Sequence, residues 1–282
     1  MLEKINHKSA PKEVVNALVT LYHQGKFDDV LSRSSQLIKE YPQTFVLHNI
    51  MGAISFEKGQ KEVAIEHFRK VIELRPHHPH AYNNLGATLL DIGEYEEAKS
   101  NLKKAIELQP DYAEAYNNLG NVYKEMEEYN QAISVYEKAI ELNPEYYEAY
   151  NNLGVTLGKN EQYEEAEKAL KQAIKLQPEF VEALNNFGSI LTCMEKYEEA
   201  KAILNRSIEI HSSNAEAYNN IGNVYKKLNE HEKAIEQYKR AIQIKPNYYE
   251  ALNSMGLALT ELKNYSKAKN ILKLAIKIKP NV

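Results

Sequence analysis

Tryptophan is absent from this 282-residue chain, and cysteine occurs once, at Cys193. One thiol excludes an internal disulfide framework and any cysteine-rich zinc module. Long apolar runs are missing too, so no segment reads as a membrane span of about 18 residues or more. There is no basic excess: the formal net charge is −4, which disfavours general nucleic-acid binding through a basic surface. Met1 to Ala10 are polar and lack the apolar stretch of a secretory signal. These absences make the cytosol the expected compartment. Glycine and proline number only 11 and 9, which excludes collagen-like chains and long structureless stretches.

The few glycines and prolines are phased. Gly52, Gly86, Gly120, Gly154, Gly188, Gly222 and Gly256 recur every 34 residues. Pro42, Pro76, Pro110, Pro144 and Pro178 keep the same spacing, which skips Ser212 and resumes at Pro246 and Pro280. A fixed period of this length marks a repeat array. The predicted organisation is a leader, 1–10, and eight repeats: 11–44, 45–78, 79–112, 113–146, 147–180, 181–214, 215–248 and 249–282.

Within a repeat the apolar spacing is helical. In the fourth, Tyr116, Leu119, Gly120 and Tyr123 (positions 4, 7, 8 and 11) fall on one face, with positions 2, 5, 6, 9, 12 and 13 opposite. After the polar turn Glu127-Glu128, a second helix is predicted from about Asn130 to Leu142, with Ala132, Ile133, Tyr136, Ala139 and Ile140 as its stripe. Asn143-Pro144 ends it, because proline cannot continue the hydrogen-bond ladder. The small residues at positions 8, 20 and 27 point to closely packed helices. The aromatic residue at 4, Leu at 7, Gly at 8, Tyr at 11, Ala at 20 and 27, an aromatic at 24 and Pro at 32 together resemble the tetratricopeptide repeat family, over 272 of the 282 residues. That resemblance implies an all-α, right-handed α-α superhelix of helix-turn-helix units, with the first helix of each pair lining a concave groove. Two repeats depart from the pattern. The first has Leu18, Val30 and Ser34 for Gly, Ala and an aromatic, as expected of a terminal repeat facing solvent. The sixth has Ser207 and Ser212 for Ala and Pro, which predicts a looser junction with the seventh.

Function is sought on the groove positions, since the other faces are committed to packing. Position 5 is Asn83, Asn117, Asn151, Asn185 and Asn219 in the central repeats, and position 6 is Asn84, Asn118, Asn152, Asn186 and Asn220. Asn is a mediocre helix former, roughly 0.5 kcal/mol worse than Ala, so a ladder of them needs a reason. Its amide donors and carbonyl suit a peptide backbone. The superhelix of O-linked N-acetylglucosamine transferases, which the groove resembles, holds its acceptor through position-6 asparagines. Both Asn positions are therefore candidate peptide-binding residues. Glu114, Glu125, Glu148, Lys124, Lys159 and Lys227 are candidate groove charges. The position-2 glutamates also suit the positive end of a helix dipole. Charge is uneven: the fourth and fifth repeats hold 13 acids and 6 bases, the last repeat 2 acids and 6 bases.

Other chemistries find little support. A family subset grips chaperone C-termini with lysine at position 5; here that position is Val15 or Asn. His77, His78 and His80 cluster on a turn without a carboxylate or thiol at ligand spacing. Cys193, at position 13, has no histidine at a repeating phase to activate it. No phosphate-loop or dinucleotide fingerprint occurs, so no cofactor, metal or catalytic residue is expected. Eight repeats without insertions leave no long loop to carry an active site. The expected function is a non-catalytic scaffold whose groove binds an extended peptide or protein segment. The resemblance also leaves two alternatives. One is a recognition arm of a larger glycosyltransferase or sulfotransferase, since Val282 falls on a repeat boundary with no polar cap. The other is self-assembly into a homo-oligomer through the last helix, whose Leu272, Leu274 and Ile276 lack a following repeat.

Overall fold

The computed structural model describes residues 9–280, so most of the predicted leader and the final two residues, on which the boundary argument at Val282 rests, lie outside the described residues. Sixteen helices and no strand occur among the described residues. The chain divides after Pro144 into two compact units. The first holds α1 (Lys12–His23), α2 (Phe27–Glu40), α3 (Phe45–Glu57), α4 (Lys61–Leu74), α5 (Pro79–Asp91), α6 (Tyr95–Leu108), α7 (Ala113–Glu125) and α8 (Tyr129–Leu142). The second holds α9 (Tyr147–Lys159), α10 (Tyr163–Leu176), α11 (Val181–Cys193), α12 (Tyr197–Ile210), α13 (Ala215–Lys227), α14 (His231–Ile244), α15 (Tyr249–Glu261) and α16 (Tyr265–Ile278). Each unit is an all-α solenoid of helix pairs.

The pairs close on position 8. A Cβ placed on Gly120 would sit 2.5 Å from the Tyr136 ring, and one on Gly86 would sit 2.6 Å from Leu102. Glycine thus admits the large residue at position 24, which is fully buried in Phe68, Leu102, Tyr136, Leu170, Leu204 and Tyr238. Burying such a side chain contributes about 1.5–3 kcal/mol, more than the roughly 1 kcal/mol that glycine costs a helix relative to alanine. The buried phenols are satisfied: Tyr136 donates to Asn121 Oδ1 at 2.7 Å and Tyr238 to Asn223 Oδ1 at 2.8 Å.

Two departures read differently in three dimensions. Leu18, Val30 and Ser34 are all buried, so solvent exposure does not explain the first repeat. Positions 8 and 24 have exchanged sizes there: Leu18 is large and Ser34 small. In the sixth repeat polar contacts stand where the alanine and proline would be. Ser207 donates to Asn185 Oδ1 at 2.8 Å, and Asn214 Nδ2 donates to Ser207 Oγ at 2.8 Å. Asn214 also caps α13 through the Ala217 N–H at 3.1 Å. Without Pro at 212, His211 still adopts the extended backbone (φ −136°) that Asn143 shows before Pro144.

First helices end in a left-handed residue at position 15. In the first three repeats it is Gly25, Gly59 and Gly93; in the next five it is Glu127, Glu161, Glu195, Asn229 and Lys263, with φ between 57° and 61°. The following N–H reaches back five residues, as in Glu128 N to Tyr123 O at 2.8 Å, the Schellman closure. L-residues pay about 1–2 kcal/mol in this conformation.

In the second repeat His48 is buried between α3 and α4. Its Nε2 lies 3.2 Å from the Pro42 carbonyl and its Nδ1 3.1 Å from His67 Nδ1. With both rings neutral, His48 Nε2–H donates to the carbonyl and His67 Nδ1–H donates to His48 Nδ1. Burial pushes both pKa values below the ordinary histidine value, with Lys70 adding to the effect on His48 and His48 to that on His67.

At the C-terminal end, Leu272 is half-buried against Gly256, whereas Leu274 and Ile276 are 51% and 57% exposed. Leu272 therefore belongs to the core of its own repeat and drops out of the uncovered face.

Two outcomes are expected. Glu161→Gly should raise the unfolding free energy by about 1 kcal/mol, because glycine removes the left-handed strain; urea titration measures it, and equal or lower stability contradicts the assignment. The histidine pair should make stability pH-dependent. The unfolded chain takes up protons near pH 6.5 and the folded chain resists, so stability is full above about pH 6.5 and falls as the pH drops through the depressed folded values. Urea unfolding at pH 7.5 and 5.5 should show this loss, and the double substitution His48→Tyr, His67→Asn should reduce it.

Candidate peptide-binding groove

Within each unit, first helices meet one another and second helices do not. Among the described residues α1 meets α3, α3 meets α5 and α5 meets α7; in the second unit α9, α11, α13 and α15 form the same series. The first helices therefore lie on the inner side of each solenoid. The groove surface consists of their positions 2, 6, 9, 12 and 13.

The two asparagine positions separate here. Asn83, Asn117, Asn151, Asn185 and Asn219 are buried, none more than 6% exposed. They are brackets between repeats. Asn83 Nδ2 donates to Glu114 at 3.0 Å, Asn151 to Glu182 at 3.0 Å and Asn185 to Glu216 at 3.2 Å. The carbonyl of the bracket receives the next repeat's position 6: Asn118 Nδ2 reaches Asn83 Oδ1, and Asn186 Nδ2 reaches Asn151 Oδ1, both at 2.9 Å. At Asn83, Asn117, Asn151 and Asn185 the expectation that position 5 contacts a ligand is corrected, because these amides sit beneath the surface with partners of their own; Asn219 keeps an unpaired carbonyl oxygen beside a cavity. Position 6 lies nearer the surface in four repeats, where Asn84, Asn118, Asn152 and Asn186 are half-buried; Asn220, 8% exposed, is buried at the edge of a cavity.

The charged candidates also divide. Glu114 is exposed and combines its bracket contact with a place on the groove wall. Partial loss of water, reinforced by Glu182 and Glu250, raises the pKa of Glu216. This marks a column of like charges at position 2. Glu125 lies 3.8 Å from Lys124, its neighbour in sequence. Glu148 hydrogen-bonds the Tyr147 hydroxyl and holds that phenol's pKa up. Lys159 and Lys227 are exposed at position 13.

Two cavities open on this face. One of about 370 Å³ in the first unit is lined by Tyr22, Ala53, Phe56, Glu57, Asn84 and Glu114, with Phe68, Ala87 and Thr88 behind. The other, of about 430 Å³ in the second unit, includes Asn219, Asn220, Asn223, Lys226, Lys227 and Cys193. Ala53 and Phe56, at positions 9 and 12, and Asn223, at position 9, were not among the sequence-based candidates, although Lys124 at position 12 was. Their signal was available: they follow position 6 by three and six residues, on the same helix face. Cys193 is exposed on this wall. His80 is engaged with the Tyr112 hydroxyl at 2.8 Å, and no group of three or more potential metal ligands assembles among the described residues. No helix among them is long and apolar enough to cross a membrane.

Tetratricopeptide repeat models match residues 41–111, 78–145, 111–179, 215–248 and 249–282, and a TPR repeat model matches 188–229. No curated protein matches the sequence. Among solved structures, YrrB, described as a TPR protein with an unusual peptide-binding site, is 33% identical with a TM-score of 0.53, over 67% of this chain and 97% of its own. The pilF protein of Pseudomonas aeruginosa is 25% identical with a TM-score of 0.60, over 72% and 93%. The APC/C hetero-tetramer Cut9-Hcn1 aligns over all of this chain and 55% of its own at a TM-score of 0.71; at 19% identity it shares the fold alone. With family models matching well over half of the residues, the chain belongs to the tetratricopeptide repeat family.

Proposed function

We propose that the protein is a non-catalytic interaction scaffold that holds an extended peptide or protein segment against its first helices. The observation that carries this reading is the position-6 asparagine series on the inner face. Asn118 and Asn186 are each anchored through one N–H to the buried bracket of the preceding repeat. An amide oriented in this way has its remaining donor and acceptor capacity preset, at little entropic cost, for a peptide backbone. Recurrence once per repeat suits a ligand that is itself periodic and extended. Asn84 and Asn220 each line one of the two cavities, where side chains of the ligand would enter. YrrB, with its peptide-binding site, supports the same reading.

The test starts from a peptide selected on an array of tiled sequences. Replacing Asn84, Asn118, Asn152, Asn186 and Asn220 together by Ala should lower its affinity at least tenfold by fluorescence anisotropy, with helicity retained. Unchanged affinity in a folded variant overturns the reading.

The exposed side of α16, with Tyr265, Leu274 and Ile276, supports a second reading, self-association. Light scattering should then show a mass that rises with concentration, and Leu274→Glu with Ile276→Glu should abolish the rise. A parent protein that stays monomeric at millimolar concentration contradicts it.

A further inference from the structure

The bracket pattern breaks at one place in the second unit. Position 6 of the last repeat is Ser254, where the third to seventh repeats carry asparagine. Its short hydroxyl lies close to the Tyr238 phenol and gives the bracket before it no hydrogen bond. Asn219, 5% exposed, is left with a buried carbonyl oxygen that has no hydrogen-bond partner. Its equivalents in the two preceding repeats are satisfied: Asn151 Oδ1 accepts from Asn186, and Asn185 Oδ1 from Ser207 and Asn214. An orphaned buried acceptor is costly, and a donor from water or from a ligand at the cavity relieves it.

The cavity of about 430 Å³ lies at this gap, on the face of α11, α13 and α15. Lys226 and Lys227 line it, and neither has an ion-pair partner among the described residues. Their place in the last turn of α13 complements the helix dipole without neutralising them. Glu250 is the single acid on the lining, carried by α15 on the other wall. Asn219 and Lys226 are two helical turns apart, about 10 Å along the axis, which an extended chain spans in roughly three residues.

We propose that this cavity is a subsite for an acidic side chain of an extended peptide. A backbone N–H of the ligand donates to Asn219 Oδ1, and a carboxylate about three residues away lies against the Lys226 and Lys227 ammonium groups. Glu250 repels the carboxylate from the opposite wall and so fixes which side it takes. The inference rests on the reading of the first-helix face as a peptide groove and adds the chemistry of one ligand position.

Cys193 is the chain's one cysteine and lines the same cavity, so its reactivity reports occupancy. The probes are three octapeptides, acetylated and amidated, of sequence Gly-Ser-X-Gly-Ser-X-Gly-Ser, with X as Asp, Asn or Lys. Alkylation of Cys193 by neutral iodoacetamide is followed by mass spectrometry on the full chain. The Asp peptide at millimolar concentration should slow alkylation at least fivefold, and the Asn and Lys peptides less than twofold. Ser254→Asn supplies the missing donor, and should raise the melting temperature while removing the protection. Lys226→Gln with Lys227→Gln should remove the protection without the gain in stability. Equal protection by all three peptides overturns the acidic subsite while leaving backbone recognition by the groove standing. Stronger protection by the Lys peptide, protection retained in Ser254→Asn, or no protection by the Asp peptide also overturns the subsite. In each of these cases the asparagine series on the groove is judged separately by its own alanine variant.

Discussion

Everything in this molecule depends on how closely two helices of one repeat approach each other at position 8. A first helix without a side chain there lets Phe68, Leu102, Tyr136, Leu170, Leu204 or Tyr238 lie directly on its backbone. That contact sets the distance and rotation of the pair, and with it which residues of the first helix face inward. The first repeat obeys the same volume rule with the sizes reversed, Leu18 against Ser34. What the packing conserves is the sum of two side chains rather than either one alone.

Once the pairs are fixed, successive first helices are joined by polar contacts. Position 5 supplies an amide that gives its N–H to the glutamate at position 2 of the next repeat and takes an N–H from its position 6. Three residues from two repeats thus satisfy one another in a partly buried strip, where an unpaired amide would be costly. The same arrangement explains two residue choices that look unfavourable locally: asparagine in the middle of a helix, and carboxylates stacked one repeat apart. The price of the stacking is visible at Glu216, whose pKa is raised by lost solvation and by its acidic neighbours. Where the sixth repeat lacks alanine and proline, Ser207 and Asn214 join the bracket of Asn185 and extend the network.

The inner faces of the two units differ in chemistry although they share a framework. The first unit offers a cavity with aromatic and small apolar walls and the carboxylates of Glu57 and Glu114. The second offers amides, hydroxyls and two lysines. Position 13 lies outside the pair contact and the bracket, whereas position 9 joins the framework where Asn121 and Asn223 accept the buried phenols. This separation of framework from surface lets a repeat array change what it recognises at constant architecture.

The sequence by itself determined the period, the helix pairs, the small residues at their contacts and the face on which recognition is sought. Each of these follows from spacing along the chain, because helical periodicity places residues on faces before any tertiary contact forms. The division of labour between Asn83 and Asn84, and between Asn117 and Asn118, Asn151 and Asn152, and Asn185 and Asn186, was not legible. Adjacent residues of one type on one face look equivalent until a neighbouring helix covers one of them. The orphaned carbonyl of Asn219 was decided in the same way, by a serine 35 residues later that is too short to reach it. Burial and hydrogen-bond pairing belong to pairs of helices, and only the tertiary structure states which pairs meet.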